Sequence, residues 1–295
     1  MKIGLIDVDG HNFPNIALMK ISAYHKLHGD NVEWVIPMCK YDKVYMSKIF
    51  DFTPDFNTCI EADEIIKGGR AYDKKLKLPE HIESIYPDYS LYNIKNIAYG
   101  YLTRGCPRDC EFCDVVNLEG RKSYKVANLK QFWNGQREIK LLDPNLLACT
   151  DKLELLQQLI DSKAWIDFTQ GLDIRLIDDV IIDKIKQLKI KMLHFAWDGE
   201  KDSELILKNL HHFKKRTEIN ARKARVYVLT NFNTSFDYDL YRVYRLKEMG
   251  YDPYVMIYNK DKAPKQIRRL QRWVNNKWIF RSCERFEDYM KVKEE

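Results

Sequence analysis

Ile97-Ala98-Tyr99-Gly100-Tyr101-Leu102 runs straight into Thr103-Arg104-Gly105-Cys106-Pro107-Arg108-Asp109-Cys110-Glu111-Phe112-Cys113-Asp114. The first six residues form an apolar, strand-forming run. The next twelve place three cysteines at spacings of four and three, with glycine and proline beside the first. Such a stretch forms a tight loop, so the thiols can converge on one metal centre. A mononuclear structural zinc site wants four protein ligands, and no fourth cysteine lies nearby. Three thiolates suit a cubane iron–sulfur cluster that leaves one iron open. A zinc loop, or three unligated cysteines beside a turn, are the competing readings of the same spacing.

Downstream of Asn96 the chain keeps a β-then-α rhythm. The pattern predicts strands over Ile97–Leu102, Glu138–Leu142, Ala164–Thr169, Lys191–Trp197, Arg225–Leu229 and Pro253–Tyr258. Helices are expected over Thr150–Ser162, Asp178–Leu188, Asp202–Lys214 and Phe236–Met249, with aspartates near several starts and Gly250 as a stop. Six strands are two short of a closed eight-stranded barrel, so the expected fold class is α/β with a TIM-like partial (β/α)6 barrel. Polar residues follow each strand: the cysteine loop, Asp143-Pro144-Asn145, Gln170 with Asp173 and Arg175, His194 and Asp198, Thr230-Asn231, and Tyr258-Asn259. Parallel α/β folds put their sites there. Asp143 and Asn231 have helix capping as an equal alternative. His194 reads equally as a substrate-facing or a core histidine.

Upstream, Lys2–Val8, Ile16–His28 and Asn31–Ile36 read as strand, helix and strand, a βαβ unit of a small Rossmann-like parallel domain. Strand-like Tyr45-Met46 and Phe50-Phe52 follow, then a helical stretch and a segment ending in Gly68-Gly69. Asp9-Gly10-His11 could bind a ligand, but pinning the turn or capping the helix is the favoured role. Prolines 79 and 87 with Tyr86, Tyr89 and Tyr92 suggest an extended, aromatic-packed linker. Past the last strand, Gln266–Trp273 is a basic amphipathic helix and Trp278–Arg281 an apolar strand or packed turn. The expected organisation is residues 1–75, a linker 76–95, a barrel 96–260 and a C-terminal extension 261–295.

Composition sets the outer limits. A chain of 295 residues with 45% hydrophobic and 31% charged residues can bury a sizeable core, which points to a soluble globular protein. The N-terminus lacks a signal peptide's apolar run, and no window has the length of a transmembrane helix, so a cytoplasmic protein without a membrane partner is expected. Seven cysteines, an odd number with three crowded together, argue for metal binding in a reducing compartment rather than for disulfides. A net charge of +6 mildly favours an anionic partner.

The cysteine loop resembles that of the radical S-adenosylmethionine enzymes, whose signature is C-x3-C-x2-C with an aromatic residue before the last cysteine. Here these are Cys106, Cys110, Phe112 and Cys113. The resemblance runs over about Asn96–Asn259 and is nearest the branch with methylthiotransferases and enzymes carrying an N-terminal cobalamin-binding-type domain. It implies a [4Fe-4S] cluster on Cys106, Cys110 and Cys113, with S-adenosylmethionine on the fourth iron. Reductive cleavage would then give a 5'-deoxyadenosyl radical that abstracts hydrogen from a substrate, with a reductant such as flavodoxin or ferredoxin. It also implies that the Phe112 carbonyl meets the adenine and that Asp143 stands in for the usual amine-binding motif. Gln170 and Asp173 would meet the ribose or methionyl group, and Arg175 the carboxylate.

Arg104 and Arg108 would offset the charge of the cluster. The cobalamin signature has a partial echo in Asp9, His11 and Pro14, but proline replaces the required glycine, which implies an architecture kept without the cofactor. The methylthiotransferases' extra cysteines and RNA-binding domain have no counterpart here. An RNA- or protein-modifying methyltransferase- or methylthiotransferase-like enzyme, or a non-catalytic iron–sulfur or zinc protein, are the alternatives, with nucleic acid as a further candidate partner.

Overall fold

A computed structural model describes residues 1–10 and 13–291. Its contacts separate into two units, one of residues 1–100 with 127–137 and one of residues 101–126 with the chain from 138 onward. Both are α/β, with parallel strands flanked by helices.

In the first unit, β1 (Lys2–Asp7), α1 (Ile16–Leu27) and β2 (Asn31–Trp34) form the expected βαβ unit, followed by β3 (Lys40–Ser47) and β4 (Glu61–Gly68). The four strands lie in the order β2-β1-β3-β4, all parallel. Asn15 caps α1 by accepting from Leu18 N at 3.2 Å. The helix then lays Leu18 and Ile21 on Ile3 and Leu5 of β1.

The helical stretch expected after Phe52 does not form. Asp9 accepts from Ile49 N (2.5 Å), Phe50 N (3.3 Å) and Thr53 Oγ1 (2.8 Å). These bonds hold the segment as a turn, and Pro54 bars its neighbour from helical geometry. A short helix, α2 (Glu80–Glu83), follows Pro79, and β5 (Ile97–Gly100) completes the unit. Tyr89 is the pin of this region: its hydroxyl accepts from Tyr99 N at 2.9 Å and donates to Phe132 O at 2.7 Å.

The second unit begins with a small antiparallel ladder, β6 (Thr103–Arg104) against β7 (Tyr124–Lys125), with α3 (Val115–Glu119) between them. Then come β8 (Glu138–Leu141), α4 (Lys152–Ser162), β9 (Trp165–Phe168), α5 (Asp179–Gln187), β10 (Lys189–Ala196), α6 (Ser203–Thr217), β11 (Ala224–Thr230), α7 (Phe236–Glu248) and β12 (Asp252–Ile257). The strands stand in spatial order β12-β11-β10-β9-β8, every neighbour parallel. The apolar faces of α5 (Ile181, Ile182, Ile185) and α6 (Ile206, Leu210, Phe213) are buried, as are Leu193, Phe195, Val226 and Val228 in the strands. This alternation is what the sequence periodicity predicts, and the strand carboxyl ends consequently share one edge.

Among the described residues β12 pairs with β11 alone, so no closed barrel forms there. Its outer side is covered instead. Asn275 of α8 (Lys265–Asn275) accepts from Val255 N at 2.8 Å and donates to Val255 O at 2.9 Å. An unpaired strand edge is thereby blunted. The chain continues into α9 (Lys277–Ser282) and α10 (Phe286–Lys291). The segment Trp278–Arg281, read as a strand or packed turn, is helical because Asn276 accepts from both Trp278 N (3.1 Å) and Ile279 N (3.2 Å) and starts a helix. Leu270, Trp273, Val274, Phe280 and Phe286 form an apolar cluster with Val243 and Val255.

Candidate functional site

The cysteine loop of the second unit is closed at its base. Gly105 N donates to Glu119 Oε2 at 2.9 Å, Arg104 Nη1 to Glu119 Oε1 at 2.7 Å, and Cys106 N to Gly120 O at 3.2 Å. Gly105 has φ +78°, and a Cβ there would lie 2.2 Å from Lys122 O, so only glycine fits. Inside the loop Cys113 N donates to Cys110 O at 2.9 Å. The Cys106 sulfur accepts from Arg108 N (3.4 Å) and Asn145 Nδ2 (3.5 Å). Burial pushes the Cys110 thiol up to about 11, with Asp198 and Cys113 adding to the rise and Arg175 opposing it. Cys110 is therefore a neutral thiol at neutral pH.

This arrangement corrects the main functional expectation. Among the described residues, no three His, Cys, Asp or Glu side chains come together as a group able to hold a metal ion, and Cys106, Cys110 and Cys113 form no disulfide. Spacing brought the three residues into one loop. The Cys106 sulfur is met by Arg108 N and Asn145 Nδ2, and the described side chains around it do not complete a ligand set. The [4Fe-4S] cluster, S-adenosylmethionine as its chelating cofactor, the radical enzyme activity and membership of that superfamily are all withdrawn on this finding. The cobalamin-type echo in the first unit goes with them. His11 lies outside the described residues, and the Asp9 carboxylate is engaged by the 49–53 turn.

The remaining expected site residues lie on the loops that follow the strands. Asp143, after β8, is buried and accepts from Thr103 N (2.5 Å), Thr103 Oγ1 (2.7 Å) and Leu102 N (3.1 Å). Burial pushes its carboxyl up to about 6 against those bonds. It thus anchors the chain that enters the cysteine loop. Asp173, after β9, accepts from Arg175 Nε (2.7 Å), Arg175 Nη2 (3.2 Å) and Arg108 Nε (2.9 Å). Its burial acts to raise the carboxyl, but Arg175 and Arg108 outweigh this and hold it below the usual carboxylate range. Arg175 also donates to Asp202 at 3.2 Å. Gln170 is exposed. Phe112 packs edge-on against Phe232 with centroids 5.5 Å apart.

His194 is a core histidine. It is buried, Nδ1 lies 3.0 Å from Phe168 O, and the ring stacks on Tyr227 at 5.0 Å and 11°. Burial pushes it down to about 4, so it is neutral and Nδ1–H donates to the carbonyl.

Asn145 and Asp198, read from the sequence only as strand-end polar residues, and Arg242, which the sequence reading did not name, complete the site. Asn145 is 3% exposed, and its Nδ2 reaches both Cys106 Sγ (3.5 Å) and Asp173 Oδ2 (3.4 Å), while Oδ1 is buried without a hydrogen-bond partner. A flipped amide would set its oxygen against the ionised Asp173, so this orientation is the favourable one. Asp198, after β10, is pushed up to about 6 by burial, although Arg242, Arg175 and a Leu229 backbone bond act to lower it.

Arg242 holds these strand ends. It is fully buried on α7 beside Asp239 (2.5 Å), donating to Leu229 O at 2.6 Å and to Trp197 O. Its place at the i, i+3 spacing from Asp239 on an otherwise apolar face was the available signal, since charges there are buried only when paired.

Chemically, the edge offers an unpaired carboxamide oxygen, a carboxyl that changes charge near neutral pH and an arginine-bound carboxylate. All three suit a partner that brings hydrogen-bond donors. No family model matches the chain, and no curated protein matches it. No helix among the described residues is long and apolar enough to cross a membrane.

Proposed function

We propose that the second unit binds a small polar molecule bearing an amine or another strong N–H donor. The unit is read as an open (β/α) partial barrel with its site at the strand carboxyl edge. The observation that carries this is the buried Asn145 Oδ1 without a partner. Leaving such an acceptor unmade costs about 1–3 kcal/mol, and a ligand N–H would remove that cost. Asp198 supports the same ligand class: burial without a full ion-pair partner raises its carboxyl to about 6, and a ligand ammonium would lower it again. Ligand affinity should then rise as pH increases through 6 and Asp198 ionises. Asp173 and Arg175 set the polar wall, and Phe112 with Phe232 an apolar one.

The test is calorimetric titration with a panel of amine-bearing metabolites, each paired with its deaminated analogue, at pH 5 and 7.5. At least one amine should bind, more tightly at the higher pH, and lose about tenfold or more in Asn145→Leu or Asp198→Asn. Equal binding of amine and deaminated analogue would refute the reading.

A further inference from the structure

The stretch from Lys260 to Arg281 carries eight lysines and arginines and one carboxylate, so its net charge of +7 exceeds the +6 of the whole chain. Its charges are not laid out evenly. Ile267, Leu270, Trp273 and Val274 of α8 are buried, the last three in the C-terminal apolar cluster. Lys265, Arg268 and Arg272 sit at i, i+3 and i+7 on the opposite, solvent-facing side. Lys260, Lys262 and Arg281 are also exposed, and none of the six makes an ion pair among the described residues. Arg269 turns to Met290 and Lys277 to Asp252, so neither belongs to the set.

Three residues past the end of α8, on the first turn of α9, Trp278 is 86% exposed. Its backbone N–H is held by the Asn276 cap, so the indole projects from a fixed point. An exposed indole of that size in the same cationic stretch is unexplained by packing.

We infer that this face of α8 and α9 binds the backbone of a single-stranded polynucleotide, with Trp278 as a stacking platform for a base. Lysines and arginines along a groove-free helix face neutralise successive phosphates irrespective of sequence. An aromatic side chain beside such a track accepts any unpaired base, which a duplex does not offer. A lipid surface fits less well: interfacial helices insert an apolar face, and that face of α8 is already buried in the core. The inference is independent of the proposed amine-binding site.

The test uses the full chain and a fluorescein-labelled twelve-nucleotide oligo(U), read by anisotropy at several salt concentrations. With about four phosphates engaged, log affinity should fall with log salt at a slope of about −3, a loss of about fiftyfold between 50 and 200 mM. Arg268→Gln with Arg272→Gln should weaken binding and make the slope shallower by about 1.4, since each lost contact removes about 0.7. Trp278→Ala should cost about tenfold without changing the slope. These positions are exposed, so folding, checked by circular dichroism, is unaffected.

Lys186→Gln with Lys189→Gln, exposed elsewhere on the unit, should leave binding unchanged. Oligo(dT) bound equally would keep the inference, since the recognised chemistry is shared. Absence of binding at 50 mM salt, indifference to the α8 pair, or a duplex bound as tightly as oligo(U) would each overturn it. So would phosphatidylserine vesicles that bind through the same residues when oligo(U) does not.

Discussion

The carboxyl edges of the two parallel sheets use the same kinds of side chain to opposite ends. In the first unit, Asp9 takes three donors from the 49–53 turn, and Asp7 accepts from the Tyr92 hydroxyl at 2.6 Å. Its polar groups lock the unit's own chain. In the second, Asn145 keeps an oxygen without a partner and the half-buried Asp198 has its carboxyl pushed up to about 6. Both edges have the topology that commonly hosts ligands. Residue type does not distinguish a closed edge from an open one; unmet hydrogen-bond capacity does, because the cost of an unmade buried bond is the driving force a ligand can use.

The strongest way to break the second edge is through its scaffold. Arg242→Met should destabilise the protein by about 3–5 kcal/mol in urea unfolding, since it strands Asp239 in the core. The pH dependence is the next largest effect. His194 falls from an unfolded value of 6.5 to about 4, so between those values the unfolded chain binds the extra proton. Its contribution is present above pH 6.5 and is lost as pH drops toward 4, by about 3 kcal/mol in all. Arg225 and Lys140 act with burial to lower it, while Asp252 and the Phe168 carbonyl act to raise it. His194→Phe should be less sensitive to acid over that window, as measured by urea midpoints from pH 4 to 7.

Asp9→Ala against Asn145→Leu sharpens the contrast between the edges. The first leaves Ile49 N, Phe50 N and Thr53 without their acceptor and should cost about 2–3 kcal/mol. The second removes two long bonds and an unmet acceptor and should change stability by less than about 1 kcal/mol. Equal costs would erase the distinction. Gly105→Ala should cost about 1–3 kcal/mol from the left-handed backbone and the approach to Lys122 O, read as a lower thermal midpoint.

Much of the fold was legible. The six strands after Asn96 and the helices between the later ones appear close to their expected spans, because long segments with clear apolar periodicity bury one face and are little altered by context. Where context decided, the reading failed. Phe50-Phe52 and the helix after it became a turn because a carboxylate forty residues away holds it, and Trp278–Arg281 became helical through the Asn276 cap. Of the site, Asp143, Asp173 and Arg175 were placed by their position after strands. Asn145 and Asp198 share that position but carry no further mark in the sequence, since burial and unmet bonding are properties of the packed molecule.

By itself, then, the sequence determined an α/β architecture, a parallel sheet with polar strand ends, and three cysteines confined to one tight loop after the run that begins at Ile97. Tertiary structure decided what that loop is. Spacing limits how far apart three sulfurs can be, but whether they converge depends on rotamers, burial and neighbours supplied from elsewhere in the chain. Asn145 and Arg108 draw on Cys106, and burial raises the Cys110 thiol. A covalent spacing is a constraint along the chain, whereas a binding site is a set of free energies set across it.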